Sequence, residues 1–204
     1  MRAVTWVKPE PLGAEFADVH IRRGRFTASG IAIGSAPTGF RLDYQLEAGP
    51  DFITSGLLVI ARGDGWRRRL DLRRSWKGKW TVRSSARGEV DLPPPGGDMS
   101  AFADALDCDL ALSPLTNSMP VLRNGLLEGG GPVDLHMAWV SVPDLGVYSS
   151  RQRYTFVRKE GERSIVRYES SSRDFVADIT FDQDGFVIDY PGIGRQPGKS
   201  QASR

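Results

Sequence analysis

The chain has 204 residues, 40% of them hydrophobic and 25% charged, enough for one domain with a sizeable core or at most two small ones. A net charge of +2 gives a nucleic-acid partner no overall electrostatic support, and a single cysteine, Cys108, excludes an intrachain disulfide. No run approaches the roughly 20 apolar residues of a membrane span, and residues 1–6 lack the apolar core of a signal peptide, so a soluble cytoplasmic protein is expected.

Alternation of period two dominates the chain in order. Ala17, Val19 and Ile21 read as the buried face of one strand, and residues 26–33 repeat the pattern more weakly. Phe40, Leu42, Tyr44 and Leu46 alternate with Arg41, Asp43, Gln45 and Glu47, the signature of a strand with one wet face. The apolar run 57–61 suits a strand covered on both sides, and Asp64-Gly65 is a hairpin signal leading into 66–72. In the basic run 67–74, Leu70 and Leu72 are expected inward and the arginines outward. Trp76 and Trp80 flank a further turn near Gly78.

Three prolines in 92–98 predict an extended, unpaired loop. Asp98 can cap a short helix reaching Asp104, the only helix expected. Strand alternation resumes at Cys108, Leu110 and Leu112, then at 133–139, with His136 on the face opposite Leu135 and Met137. Segments 151–158 and 165–168 flank a turn at Glu160-Gly161-Glu162. Asp182-Gln183-Asp184-Gly185 reads as a hairpin turn between 176–181 and 186–190, since it lacks the distal glutamate of a calcium loop. Residues 196–204, rich in small and polar types, predict a disordered tail.

About eleven to fourteen short strands with Gly- or Asp-based turns make an all-β, antiparallel protein with at most one short helix. One flat open sheet of that size would leave long edges and much uncovered surface, so the sheet is expected to curl into a barrel or roll, or to fold into a sandwich. One domain over residues 1–195 is expected, with the proline loop near 92–98 between similar halves.

The residues name no familiar chemistry. His20 and His136 lack ligand-spaced partners, so no metal or other cofactor is assigned. There is no nucleophile elbow and no phosphate-cradling glycine loop. Cys108 lies in an alternating strand and reads as a buried structural thiol rather than a nucleophile paired with either histidine. Five tryptophans, Trp80 and Trp139 among them, serve core packing or line a cavity for an apolar or sugar-bearing ligand.

The most informative stretch is 107–123, where a strand carrying Asp107 and Asp109 runs into Ser113-Pro114, then Thr116-Asn117, Pro120 and Arg123. Two prolines so close make a stiff turn, which either presents Ser113, Thr116, Asn117 and Arg123 as a binding surface or pins a strand connection. The segment 109–123 resembles the signature of the putative glycolipid-binding bacterial family, long catalogued as a domain of unknown function. The likeness extends to Trp66, the Trp76–Trp80 hairpin, Ala138-Trp139-Val140, Gln152 with Tyr154, and Gly185-Phe186-Val187 ahead of Tyr190-Pro191. Leu122 stands where the family often carries a first arginine.

The resemblance implies a strongly curled antiparallel sheet forming a barrel-like roll, similar to the half-barrels that carry lipoproteins and glycolipids. It also implies a non-catalytic protein with a small amphiphilic, glycolipid-like ligand in a β-lined cavity. Asp109, Ser113, Thr116, Asn117, Arg123, Gln152, Tyr154 and Tyr190, with Trp80 and Trp139, are then the candidate ligand-binding residues. The alternatives are an enzyme acting on a small polar substrate at a wall of Asp109, Asn117 and Arg123, or a purely structural role for the motif.

Overall fold

The computed structural model describes residues 1–198, so the expectation for 199–204 lies outside the described residues. Fourteen strands form one sheet: β1 (Arg2–Lys8), β2 (Gly13–Arg22), β3 (Arg25–Gly34), β4 (Phe40–Ala48), β5 (Thr54–Gly63), β6 (Trp66–Arg74) and β7 (Trp80–Arg87), then β8 (Asp107–Leu110), β9 (Val133–Val140), β10 (Val147–Glu160), β11 (Arg163–Ser170), β12 (Phe175–Phe181), β13 (Val187–Tyr190) and β14 (Gly194–Arg195). The spatial order runs from β7 back to β1, then β14 back to β8. Two meanders are thus joined through the chain's first and last strands, and the sheet's edges, β7 and β8, lie in mid-chain.

All pairs are antiparallel except β8 with β9, which is parallel because the chain reaches β9 by a crossover rather than a hairpin. β7 and β8 are not paired with each other among the described residues, so the sheet is open and not a closed barrel. β1 and β14 were not legible in the sequence. β1 has Val4 and Trp6 buried between exposed neighbours, while β14 is two residues long. Their junction shows one register pair, Val7 with Arg195, and side chains reinforce it. The Trp6 indole donates to the Val187 carbonyl at 2.8 Å, Arg2 grips Asp184 at 2.7 Å and stacks over Phe186, and Gln196 donates to Val187 and Ile188.

The hairpin turns fall where Asp64-Gly65, Gly78, Gly161 and Asp182–Gly185 predict them, with positive φ at the glycines that the turns require. Asp182 accepts from the backbone N–H of Asp184 and Phe186, a tight polar turn with no calcium-loop character. The arginine expectation needs correction. Arg68 shares the parity of Leu70 and Leu72 and is buried with them, while Arg67, Arg69 and Arg73 face out. The Arg68 guanidinium donates to the carbonyls of Leu92, Pro93 and Asp144, which ties down the proline loop. Gly96 also exchanges backbone hydrogen bonds with Leu145 and Val147, so this loop is packed rather than a free linker.

The helix expectation is corrected as well. Residues 98–104 form only a 3-10 turn, Met99–Phe102, capped by Asp98. The one α-helix among the described residues, α1 (Ser118–Arg123), follows a 3-10 turn at Pro114–Asn117 inside the motif. Pro114 and Pro120 lie in first turns, where the missing N–H has no intrahelical partner to lose. The prolines start helical turns here rather than stiffening a loop.

β8 and the second half of β9 are covered on both faces. Cys108, Leu110, Ala138 and Val140 enter a large apolar cluster with Leu42, Leu46, Leu57 and Trp80 from the first meander, and Met137 enters a second cluster with Tyr154, Ile179 and Phe181. The segment following β8 lies between the meanders, its Leu115 and Met119 in the first cluster and its Val121 in the second. Thr54, at the start of β5, clasps the sheet's edge: its N–H donates to the Leu106 carbonyl at 3.1 Å and its hydroxyl accepts from the Cys108 N–H at 3.1 Å. Thr54→Val keeps the volume but leaves the buried Cys108 N–H without its acceptor. Urea denaturation is expected to show a loss of about 1–3 kcal/mol, and an unchanged midpoint would remove this clasp from the argument.

Candidate functional site

The motif enters the fold through a carboxylate on β2. Glu15 is buried and accepts from the Tyr44 hydroxyl at 2.8 Å and the Ser113 hydroxyl at 2.6 Å, with Lys8 Nζ at 3.4 Å. Tyr44 reaches it because the opposite residue on β3 is Gly30, where a Cβ would sit 2.3 Å from the ring. Lys8 also donates to the carbonyl of Leu112, a residue held in the left-handed region at φ 61°. This turn swings the chain from β8 into Pro114 and sets Ser113 over Glu15.

From there the polar side chains form one net. Asp109 accepts from the Thr116 hydroxyl at 3.0 Å on one oxygen and from Gln152 Nε2 at 2.7 Å on the other. The Tyr154 hydroxyl donates to Asn117 Oδ1 at 2.8 Å and lies 3.2 Å from Gln152 Oε1. Asp109, Thr116, Asn117, Gln152 and Tyr154 are thereby brought together from β8, the 3-10 turn and β10.

Asp107, two residues before Asp109 and on the same face, takes both arms of Arg123, with Nη1 at 2.6 Å from one carboxyl oxygen. Burial pushes the Asp107 carboxyl up, against the opposing pull of Arg123, so the pair sits where a lone carboxylate would be expensive. Arg123, expected to meet a ligand, spends its fork on Asp107, although it also borders the large concavity described below.

Next to the net lies a cavity of about 230 Å³. Asp109, Leu112, Ser113 and Asn117 form one side, and Trp139, Tyr168, Phe175 and Tyr190 supply aromatic walls. The rings of Tyr168, Phe175 and Tyr190 pack mutually at 5.9–6.2 Å. Arg173 closes the rim, stacked 4.7 Å over Trp139, donating to the Tyr168 hydroxyl and 3.8 Å from Asp109. Burial pushes the Tyr168 phenol up to about 12, with Asp109 adding to the rise and Arg173 opposing it. Burial, then the neighbouring Tyr168 and Asp109, raises Tyr190 as well, and burial followed by Asp109 raises Tyr154 well above its ordinary value. All three phenols therefore stay protonated at neutral pH. The Tyr190 hydroxyl has no hydrogen-bond partner among the described residues.

On the other side of Phe175 a wider concavity of about 760 Å³ runs past Asp107, Arg123, Leu135, Gln152 and Glu169. Trp80 lines neither space. It sits in the first core, edge-on to Phe102, with its indole N–H on the Ala105 carbonyl at 3.0 Å. Tyr168, Arg173, Phe175 and Ile193 complete the cavity. No local pattern marks them, because they belong to a polar turn and strand ends that only the fold brings to Asp109. Cys108 faces away into the core, its thiol pushed up to about 12 by burial, which makes it a poor nucleophile.

Arg123→Met is expected to strand the buried Asp107 carboxylate and to cost about 3–5 kcal/mol at neutral pH. In the variant the folded-state pKa of Asp107 lies further above its unfolded value, so the deficit is full above that pKa and shrinks as protonation removes the charge. Stability measured against pH should show the variant converging on the parent as pH falls; a deficit independent of pH contradicts this account.

A family model described as "Putative glycolipid-binding" matches residues 3–196. A crystal structure of a DUF1089-family protein from Pseudomonas aeruginosa superposes with a TM-score of 0.67 at 24% identity, over 90% of this chain and 92% of that one. No curated protein matches the chain. No helix among the described residues is long and apolar enough to cross a membrane.

Proposed function

We propose, from the premise that this chain belongs to the putative glycolipid-binding family, that it binds the glycosyl part of an amphiphile in the cavity beside Asp109. The observation that carries the reading is the make-up of that cavity: aromatic faces on several sides and hydrogen-bonding groups on the remainder. A sugar ring offers C–H faces that pack on aromatic rings and hydroxyls that need both donors and acceptors. Trp139, Phe175 and Tyr190 supply the first, while Asp109, Arg173 and the Tyr190 hydroxyl supply the second.

Size narrows the reading. At about 230 Å³ the cavity is smaller than the roughly 300–1,000 Å³ pockets that enclose a whole drug-sized ligand. It suits one ring, not a lipid. On the inner face of the first meander Leu42, Leu46, Leu57, Leu70 and Leu72 are buried in one apolar cluster, packed against their own neighbours. The remainder of the amphiphile lies outside, and the concavity that shares Phe175 has room for further sugars or a linker. The barrel-like enclosure of a tail is not part of this proposal; recognition of the head is. The net of Asp109, Thr116, Asn117, Gln152 and Tyr154 is the rigid back of the site, and Ser113 anchors it to Glu15.

Isothermal titration with methyl glycosides, and native mass spectrometry with glycolipid extracts, test the proposal. Saturable binding is expected, weakened about tenfold, ~1.4 kcal/mol, by Trp139→Ala. Tyr190→Phe is expected to cost about 0.5–1.5 kcal/mol of affinity without lowering the melting temperature. If no glycoside or glycolipid binds, or if both variants bind as the parent does, the reading fails.

A further inference from the structure

The opposite face of β9 and β10 carries a second constellation. Ser149 and Arg151 alternate with the buried Ser150 and Gln152, so they lie on the face turned away from the Asp109 net, and His136 lies on that same face across β9. Ser149 pairs with Ala138 and His136 with Arg151, which makes Ser149 and His136 diagonal neighbours within side-chain reach. His136 Nε2 is 2.7 Å from the Ser149 hydroxyl, and its Nδ1 is 2.5 Å from Asp104 Oδ1.

The order of atoms is what matters. Asp104 only accepts when ionised, and its hydrogen bond from His136 holds its carboxyl below the usual range. The proton of the neutral imidazole therefore sits on Nδ1, which leaves Nε2 as the acceptor for the serine hydroxyl. The imidazole is held in place, since the side chain of His136 is only 9% exposed. Asp104 is also fixed, although its own side chain is 72% exposed. Two residues before it, Phe102 is fully buried against Trp80, and one residue after it the Ala105 carbonyl accepts from Trp80 Nε1 and Arg74 Nε, each at 3.0 Å. Asp104, His136 and Arg151 border the 760 Å³ concavity, whereas Ser149 lies outside its lining and is itself exposed, so an ester reaches the hydroxyl from open solvent. Arg151 has no carboxylate within 4.0 Å among the described residues, and lies on the serine's own strand two residues on.

We infer that Ser149, His136 and Asp104 form a nucleophilic triad that hydrolyses small carboxylic esters at this face. The Ser149 oxygen attacks the ester carbonyl carbon as His136 Nε2 takes the hydroxyl proton. The C–O bond to the alcohol then breaks, and the imidazolium delivers that proton to the leaving oxygen. Water attacks the acyl-serine, giving its proton to His136 Nε2, and the carboxylic acid departs as the proton returns to Ser149. Asp104 orients the imidazole and stabilises its cation, and Arg151, paired with His136 across the strands, adds a positive charge to the same face. This inference does not rest on glycoside binding.

The whole chain is treated with diisopropyl fluorophosphate and digested, and the modified serines are mapped by mass spectrometry, with p-nitrophenyl acetate hydrolysis followed in parallel. Ser149 is expected to be labelled at least tenfold faster than the exposed Ser29, and ester turnover is expected to vanish with Ser149→Ala. His136→Gln, which keeps a polar side chain of similar reach, is expected to abolish labelling, and Asp104→Ala to slow it at least tenfold. Labelling of Ser149 no faster than of Ser29 overturns the inference. So does a His136→Gln variant that melts earlier but labels at the parent rate, because the chain of hydrogen bonds is then only a tie between the 98–106 loop and the sheet.

Discussion

The rest of the structure depends on the need to satisfy the polar groups that β8 and the segment after it carry into the interior. Asp107, Ser113, Thr116, Asn117 and Ser118 are all buried. Each unpaired buried polar group costs about 1–3 kcal/mol, a large share of the net stability of a domain. Glu15, Asp109, Tyr154 and Arg123 supply partners, and among the fully buried side-chain atoms of the described residues Ser118 Oγ and Arg68 Nε are left without one. Glu15 comes from β2 on one side and Tyr154 from β10 on the other. The two meanders must face the segment together for the account to close, so the motif acts as a polar template about which the sheet is arranged.

Topology gives that arrangement its economy. Because β1 pairs with β14, the first and last strands meet in the middle of the sheet and the centre of the chain supplies both edges. One edge, β8, is not left as an open ladder. It is buried on both faces and clasped by Thr54. Covering an edge in this way removes the template for pairing with another chain that a long exposed strand would present.

The two faces of β9–β10 divide the chemistry. The inner face holds a closed net whose donors and acceptors are mostly spent on each other, which gives rigidity and leaves only the cavity-lining groups for a ligand. The outer face holds His136 between a serine and a carboxylate, close to solvent. Strand alternation separates the two by the thickness of one backbone, so a change on one face need not disturb the other.

Much of the strand content was legible because half-buried strands write their burial into every second residue, as Phe40 to Leu46 do. The hairpin turns were legible because Asp-Gly and lone glycines meet a backbone requirement that is local. Arg68 shows the limit: its parity with Leu70 and Leu72 was on the page, yet its charge argued for solvent until the carbonyls of 92, 93 and 144 were in place to receive it. α1 was missed because prolines forbid helix interiors but favour helix starts, and only the position of the turn tells which applies. The sequence by itself determined the all-β class, the turns and the importance of 107–123, since these follow from local pattern and residue type. Only the tertiary structure decided that the sheet stays open, that its first and last strands join its halves, that Arg123 serves Asp107, and that Arg173 and Phe175 complete the cavity. Those are contacts between residues far apart in the chain, and local pattern carries no record of which distant side chain will be met.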